Sequence, residues 1–311
     1  MARQFHYDHR ALREREGILF GNAWLPENFS KSQVRLALKD WKDGTKHDHI
    51  PLAKVPHAEA ERAGRMVEPL NYLGYGPIDR GKLKHGAALQ AGETNILSLA
   101  WPESAAAEMP AALQLIDWFA TLGGRSRNGW GSIALRPSTA KVGCEYPWQS
   151  APLTSSHPLL KAVLRPLADC LASDWPHAIG QDERVLIWES KETFADWQQA
   201  MRFLATTKIG FRTSLKFSGG EPHRQVEPRH LLAYPVTHHK VQVWGHDARL
   251  ANQIRFKVCP AEGGNRLTAR IYHTPHRCPL PAGMSAVQEL ATWQTVHRWL
   301  DRQDNLKRLE A

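Results

Sequence analysis

Leu122-Gly123-Gly124-Arg125-Ser126-Arg127-Asn128-Gly129-Trp130-Gly131-Ser132 constrains this chain more than any other stretch. Four glycines in nine residues exclude a continuing helix or strand and allow tight turns and close backbone approach. An apolar helical pattern, Leu113 to Phe119, precedes it, and a short strand pattern at 132–136 follows. The stretch is therefore a helix-to-strand connection. Arg125 and Arg127 offer planar forks suited to phosphate, and Trp130 is a flat ring between two glycines. Glycine, arginine and an aromatic together suit a nucleic-acid backbone and its bases. An exposed, solvated turn is the simpler alternative.

Organisation on either side follows from periodicity. Residues up to about 20 end a helix, which Gly21 stops. Gln33 to Lys39 alternates as a strand, with Val34, Leu36 and Leu38 on one face. Residues 40–69 form a long loop, Thr94 to Trp101 a second strand, and Pro110 opens a helix to about 122. Residues 137–156 read as a linker, placing a boundary near 150 between a domain over 1–150 and another over 151–311.

In the second half, a helix over 157–173 is kinked or broken near Pro166, and Val185 to Trp188 is a strand. Thr193 to Lys208 is the clearest helix, with Phe194, Trp197, Met201 and Leu204 facing a core. Gly210 to Arg224 reads as a flexible basic segment. Strands at 231–236, 241–244, 253–258 and 267–273 follow. The chain ends in a helix over 284–309 with Val287, Leu290, Val296 and Leu300 inward.

The run GGRSRNGWGSI resembles the glycine-rich loop near the end of a RAMP domain, the RRM-like module of CRISPR effector complexes. It is most similar to subunit one of the type III-B Cmr complex, in which the loop is close to GG-(x)-SRSRRGFGS after a Leu-rich helix. EREGILFGNAWLPENFSKS, residues 14–32, and NYLGYG, residues 71–76, resemble two further segments of that family. The match runs in order over residues 14–136. Here Asn128 stands where a third arginine is common, and Trp130 replaces phenylalanine.

The resemblance implies an α+β chain of two ferredoxin-like (RRM/RAMP) domains, antiparallel sheets with helices on one face. Strand, loop, strand, helix, loop, strand matches the last four elements of a βαββαβ unit. The first domain thus lacks its usual first strand, a central one whose absence would leave buried backbone groups unpaired. Either MARQFHY fills that role or a separate chain supplies it. The implied function is a non-catalytic RNA-binding subunit of an antiviral ribonucleoprotein. It would hold guide RNA near its 3′ end, assist target RNA capture and contact other RAMP subunits. The site residues would be Gly123, Gly124, Arg125, Ser126, Arg127, Asn128, Gly129, Trp130 and Gly131, with glycine amides cupping a phosphate. Lys31 and Arg35, and in the second domain Arg212, Lys216 and Arg224, would join them.

Composition agrees with a polyanion partner. Lys plus Arg is 40 against 31 acids, a net charge of +9. Cys144, Cys170, Cys259 and Cys278 are scattered without a CxxC and read as free thiols in a reducing cytoplasm. No apolar run has the length of a membrane span, and the N-terminus lacks the apolar core of a signal peptide. No cofactor is expected. Sixteen histidines invite an acid–base reading, notably His47 and His49 beside Asp48, the pair His238 and His239, and His273-x-x-His276-x-Cys278. No spacing forces any of these to converge on a metal or a catalytic pair. A metal-independent RAMP endoribonuclease processing guide precursors and a purely architectural subunit are the alternatives.

Overall fold

A computed structural model describes residues 8–23, 29–40, 44–46, 53–60, 64–79, 82–84, 87–138, 148–220, 222–245, 247–281 and 283–310. Along the chain come α1 (His9–Phe20), β1 (Arg35–Leu38), β2 (Thr45–Lys46), β3 (Val55–Pro56), β4 (Met66–Val67), α2 (Pro69–Gly74), β5 (Ile78–Asp79), β6 (Lys82–Leu83), β7 (Ala87–Ala88), β8 (Leu97–Ala100) and α3 (Glu108–Phe119). The second half adds α4 (Pro158–Val163), β9 (Leu164–Pro166), α5 (Leu167–Cys170), β10 (Ile179–Gln181), β11 (Ile187–Ser190), α6 (Trp197–Ser214), α7 (Pro228–Leu232), β12 (Ile254–Pro260), β13 (Leu267–His273), α8 (Ala286–Asp301) and β14 (Leu306–Arg308). The class is α+β, with small antiparallel sheets.

Contacts divide the chain into two units, but not at residue 150. One holds residues 1–48, 85–120 and 134–153; the other holds 49–84, 121–133 and 154–311. The glycine-rich stretch thus belongs with the second half, because its buried side chains pack on α2 and α6.

In the first unit, the Asp8 carboxylate caps α1 by accepting from the amides of Arg10 and Ala11. Leu19 of α1 is buried with Val34, Ala105 and Met109. Arg15 donates to Glu108 at 2.8 Å, joining α1 to α3. β1 and β8 pair antiparallel from Arg35↔Ala100 to Leu38↔Leu97. Among the described residues they pair with no third strand. Val34 is buried while Leu36 and Leu38 are exposed, so the expected apolar face is covered only at its start. The proposed substitute strand, residues 1–7, lies outside the described residues.

The strand expected over 132–136 does not form. Ser132 makes an isolated bridge with Thr121 and then leaves the ladder. The Leu135 amide donates to the Asp117 carboxylate at 2.8 Å, and Pro137 has no amide to give. Gln114 receives Ala151 N and donates to Ala151 O, tying residues 148–151 to α3.

The second unit contains a four-stranded antiparallel sheet in the order β12-β13-β11-β14. In chain order its elements run β11, α6, β12, β13, α8, β14, with the short α7 between α6 and β12. β12 and β13 share seven residue pairs, from Ile254↔His273 to Pro260↔Leu267. α6 is capped by Asp196 and buries Ala200, Met201, Leu204 and Phe211 at helical spacing. Phe194 is also buried and Trp197 half-buried, as their pattern predicts.

Five local expectations change here. Residues 210–214 complete α6 rather than opening a loop, because burying Phe211 favours one more helical turn. Residues 228–232 are helical, with Pro228 at the first helical position where its missing amide costs nothing. Residues 242–244 form a 3₁₀ turn. α8 stops at Asp301, and Leu306–Arg308 returns as the edge strand β14. Val287, expected inward, is exposed in the first turn of α8. The helix over 157–173 is broken before Pro166, where Leu164–Pro166 pairs in parallel with β10.

Candidate nucleic-acid interface

Two stretches distant in sequence, 71–76 and 122–132, interlock in the second unit. A Cβ on Gly74 would lie 3.2 Å from Trp130 Cε2, so the absent side chain lets the loop tryptophan seat against α2. Gly76 has φ +109°, and the Arg125 guanidinium occupies the space where its side chain would be, 2.8 Å from the Cβ position. Asn128 is the central clip. Its Nδ2 donates to Leu73 O at 2.8 Å, and its Oδ1 accepts from Lys208 Nζ at 2.8 Å. Those two bonds fix the orientation of the amide and join α2, the loop and α6.

The loop residues therefore divide into two groups. Arg125 is exposed, as are Leu122, Gly123 and Gly124. Arg127 is half-buried, with Nη1 donating to Asn252 O at 3.2 Å while its carbonyl accepts from Phe256 N. Burial, then the neighbouring Arg255, lowers its pKa. The Gly129 amide donates to Ser126 O, and Gly131 O accepts from Leu122 N, so both bonds close the turn and the Gly129 amide is taken within it. Ser126 is half-buried; Trp130 meets Trp197 edge-on with centroids 4.9 Å apart. The tryptophan packs beneath the loop and is not displayed for stacking.

Behind Arg125 the structure gathers cations that the sequence does not group. Lys208 is buried in α6, with its ammonium 5.5 Å from the Tyr72 ring centroid. Burial, then Arg212 and Arg125, pushes its pKa well below the ordinary lysine value. Arg212, one turn along α6, is half-buried, and burial, then Tyr72 in the opposite sense, acts on its charge. Burial is also the first cause raising the Tyr72 pKa. Arg229 of α7 is buried against Glu59 at 2.6 Å, and Glu59 lies 3.9 Å from exposed Lys216. Lys208, Arg229 and Tyr72 are the residues that local reading misses; a lysine on the apolar stripe of a strong helix is the one available signal.

The remaining expectations scatter. Arg224 is exposed ahead of α7, and Lys31 and Arg35 are exposed in the first unit. His47, Asp48, His49 and Cys144 lie outside the described residues. Cys170 and Cys278 are buried free thiols, Cys259 is buried, and burial pushes the Cys170 thiol up to about 12. Among the described residues no group of three His, Cys, Asp or Glu side chains could hold a metal. No helix among them is long and apolar enough to cross a membrane.

Histidines do converge, in a place their spacing did not reveal. His223 Nδ1 donates to Glu227 at 2.6 Å, and its Nε2 shares a hydrogen bond with His239 Nδ1 at 2.9 Å. Phe217 stacks on His239 with centroids 3.8 Å apart.

Comparison with protein families, curated proteins and solved structures finds no match to this chain.

Proposed function

We propose that this chain is a non-catalytic RNA-binding subunit of a CRISPR type III, Cmr-like, RNA-guided effector complex. The reading is carried by one observation: a glycine-rich turn locked by Asn128 leaves Arg125 exposed beside Lys208 and Arg212, with Arg229 paired to Glu59. A basic cluster with Arg125 exposed suits a phosphate backbone. The β-α-β-β-α-β succession and the order β12-β13-β11-β14 support a ferredoxin-like second domain. The helix-strand-strand-helix run α1, β1, β8, α3 is in keeping with a RAMP-like first domain. In this role the chain holds guide RNA near its 3′ end, assists target capture and sits among other RAMP subunits.

Binding to single-stranded RNA tests it. Arg125→Ala should weaken binding and lower the slope of log affinity against log salt by about one unit. Arg127→Ala should leave that slope unchanged, because its guanidinium is turned to Asn252 O. An Arg125→Ala protein with wild-type affinity and slope removes the loop from RNA binding.

The hydrogen-bonded chain Glu227–His223–His239 favours a second reading, metal-independent RNA cleavage with histidine as the base. Incubation with repeat RNA in EDTA separates the two: cleavage lost in His223→Ala would support the nuclease, and intact RNA the binding subunit.

A further inference from the structure

We infer that Arg125, Arg212 and Lys208 form a built site for a single phosphate-type oxyanion, with Arg125 at its mouth and Lys208 at its base. Position supports this. Arg125 is exposed, Arg212 half-buried and Lys208 buried, so the cations run from the surface inward. The hydrogen bond the structure gives Lys208 goes to an amide oxygen, Asn128 Oδ1, and not to a carboxylate. Glu59, the acid of the group, is taken by buried Arg229 at 2.6 Å. A buried ammonium needs a counter-charge or gives up its proton. The charges acting on Lys208 are Arg212 and Arg125, both of its own sign.

An oxyanion accepting from Arg125 and Arg212 reverses that field. Arg forks bind phosphate oxygens through paired N–H donors. With the anion in place the protonated lysine is favoured, so binding draws one proton from solvent onto Lys208 Nζ. Unpartnered polar atoms on either side of Glu59 agree with an incomplete polar cluster: His57 Nδ1 and Arg229 Nε are both buried without a hydrogen bond. Asn128 serves as a positioning residue, holding Nζ beneath the loop.

The site rests on the RNA reading only for the source of the anion, a phosphodiester as against free phosphate. Calorimetry on the full chain with inorganic phosphate, in buffers of differing ionisation enthalpy near pH 7.5, gives the test. Binding with uptake of up to about one proton is expected, because the charge of Lys208 changes. Arg212→Gln should weaken phosphate binding roughly tenfold, the scale of one lost charge-assisted bond. Lys208→Met, of similar length, should abolish proton uptake; if that variant fails to fold, Arg212→Gln and Arg125→Ala carry the test. Failure of phosphate to bind, or unaltered affinity and proton uptake in the variants, overturns the site. A single-stranded RNA arm keeps the two proposals apart. Phosphate binding with proton uptake, and RNA that neither binds nor competes, keeps the oxyanion site and removes the RNA reading. RNA bound equally by wild type, Arg212→Gln and Lys208→Met removes this site and leaves RNA binding elsewhere.

Discussion

Lowering the pH from 7 to 5 should destabilise the second unit strongly, through histidines held neutral inside it. Gln253 fixes the chemistry. Its Nε2 donates to His276 O at 2.8 Å, so its Oε1 is the acceptor facing His273 Nε2 at 3.4 Å. His273 therefore carries its proton on Nε2, and its Nδ1 accepts from His297 Nε2 at 2.9 Å. That leaves His297 Nδ1 a buried lone pair with no donor. A second proton on His297 would create a buried N–H with no acceptor, in a ring packed on Trp188. Burial, then Arg308, lowers the His297 pKa to about 3. Burial likewise lowers His230 to about 4 and His273 well below its ordinary value. The unfolded chain takes up these protons below about pH 6.5, while the folded chain does not. The stabilisation is thus complete above pH 6.5 and is lost as pH falls below it. For His297 alone the loss at pH 5 is about 2 kcal/mol, at 1.4 kcal/mol per unit of pH below 6.5. His273 and His230 add to it in the same direction. Urea melts at pH 7.5, 6 and 5 would show it as a falling midpoint. His297→Gln, which cannot titrate, should flatten the curve. A midpoint constant across that range would mean that these histidines take up protons in the fold as readily as in the unfolded chain.

How far the sequence predicts this molecule depends on how local each determinant is. β13 was legible to the residue, because Leu267 to His273 is a β-branched and aromatic run between turn signals. The stripe Met201, Leu204 of α6 was legible for the same reason, since periodicity reports a buried face without naming what covers it. α7 escapes a local reading although Pro228 marks its start, because two leucines and a tyrosine suit a strand equally well. The loop failed differently. Arg125 and Arg127 look alike in sequence, yet one is exposed and the other bonds Asn252, 125 residues away. Asn128 looks like a polar loop residue; its burial is decided by Leu73 and Lys208, 55 and 80 positions distant. Such pairings leave no periodic trace, and so the residues that build the cationic cluster emerge only with the fold.

Gly131→Ala should be the most damaging single substitution in the loop. At Gly131 φ is +63°, and a Cβ there would sit 1.8 Å from Leu122 O, an overlap only backbone movement can relieve. Leu122 is also the residue whose amide closes the turn onto Gly131 O at 2.8 Å, so relief of the clash breaks that bond. The bridge between Thr121 and Ser132 spans the same turn, and Ser132 Oγ accepts from Val258 N of β12. A displaced turn therefore pulls on the sheet as well as on Asn128. Loss of these bonds together with a strained backbone places the cost at about 3 kcal/mol or more. Gly123→Ala provides the contrast. Its φ is +80°, but no atom lies within 4 Å of the new Cβ, so only the left-handed conformation is penalised, at about 1 kcal/mol. Asn128→Ala should fall between them at about 2 kcal/mol, the cost of two buried hydrogen bonds, and should leave Arg125 exposed. Thermal melts of the three variants at pH 7.5 would rank them. Equal melting temperatures for Gly131→Ala and Gly123→Ala would mean that the turn is not closed as described. The cationic cluster would then lose the rigid lid that holds Lys208 beneath Arg125.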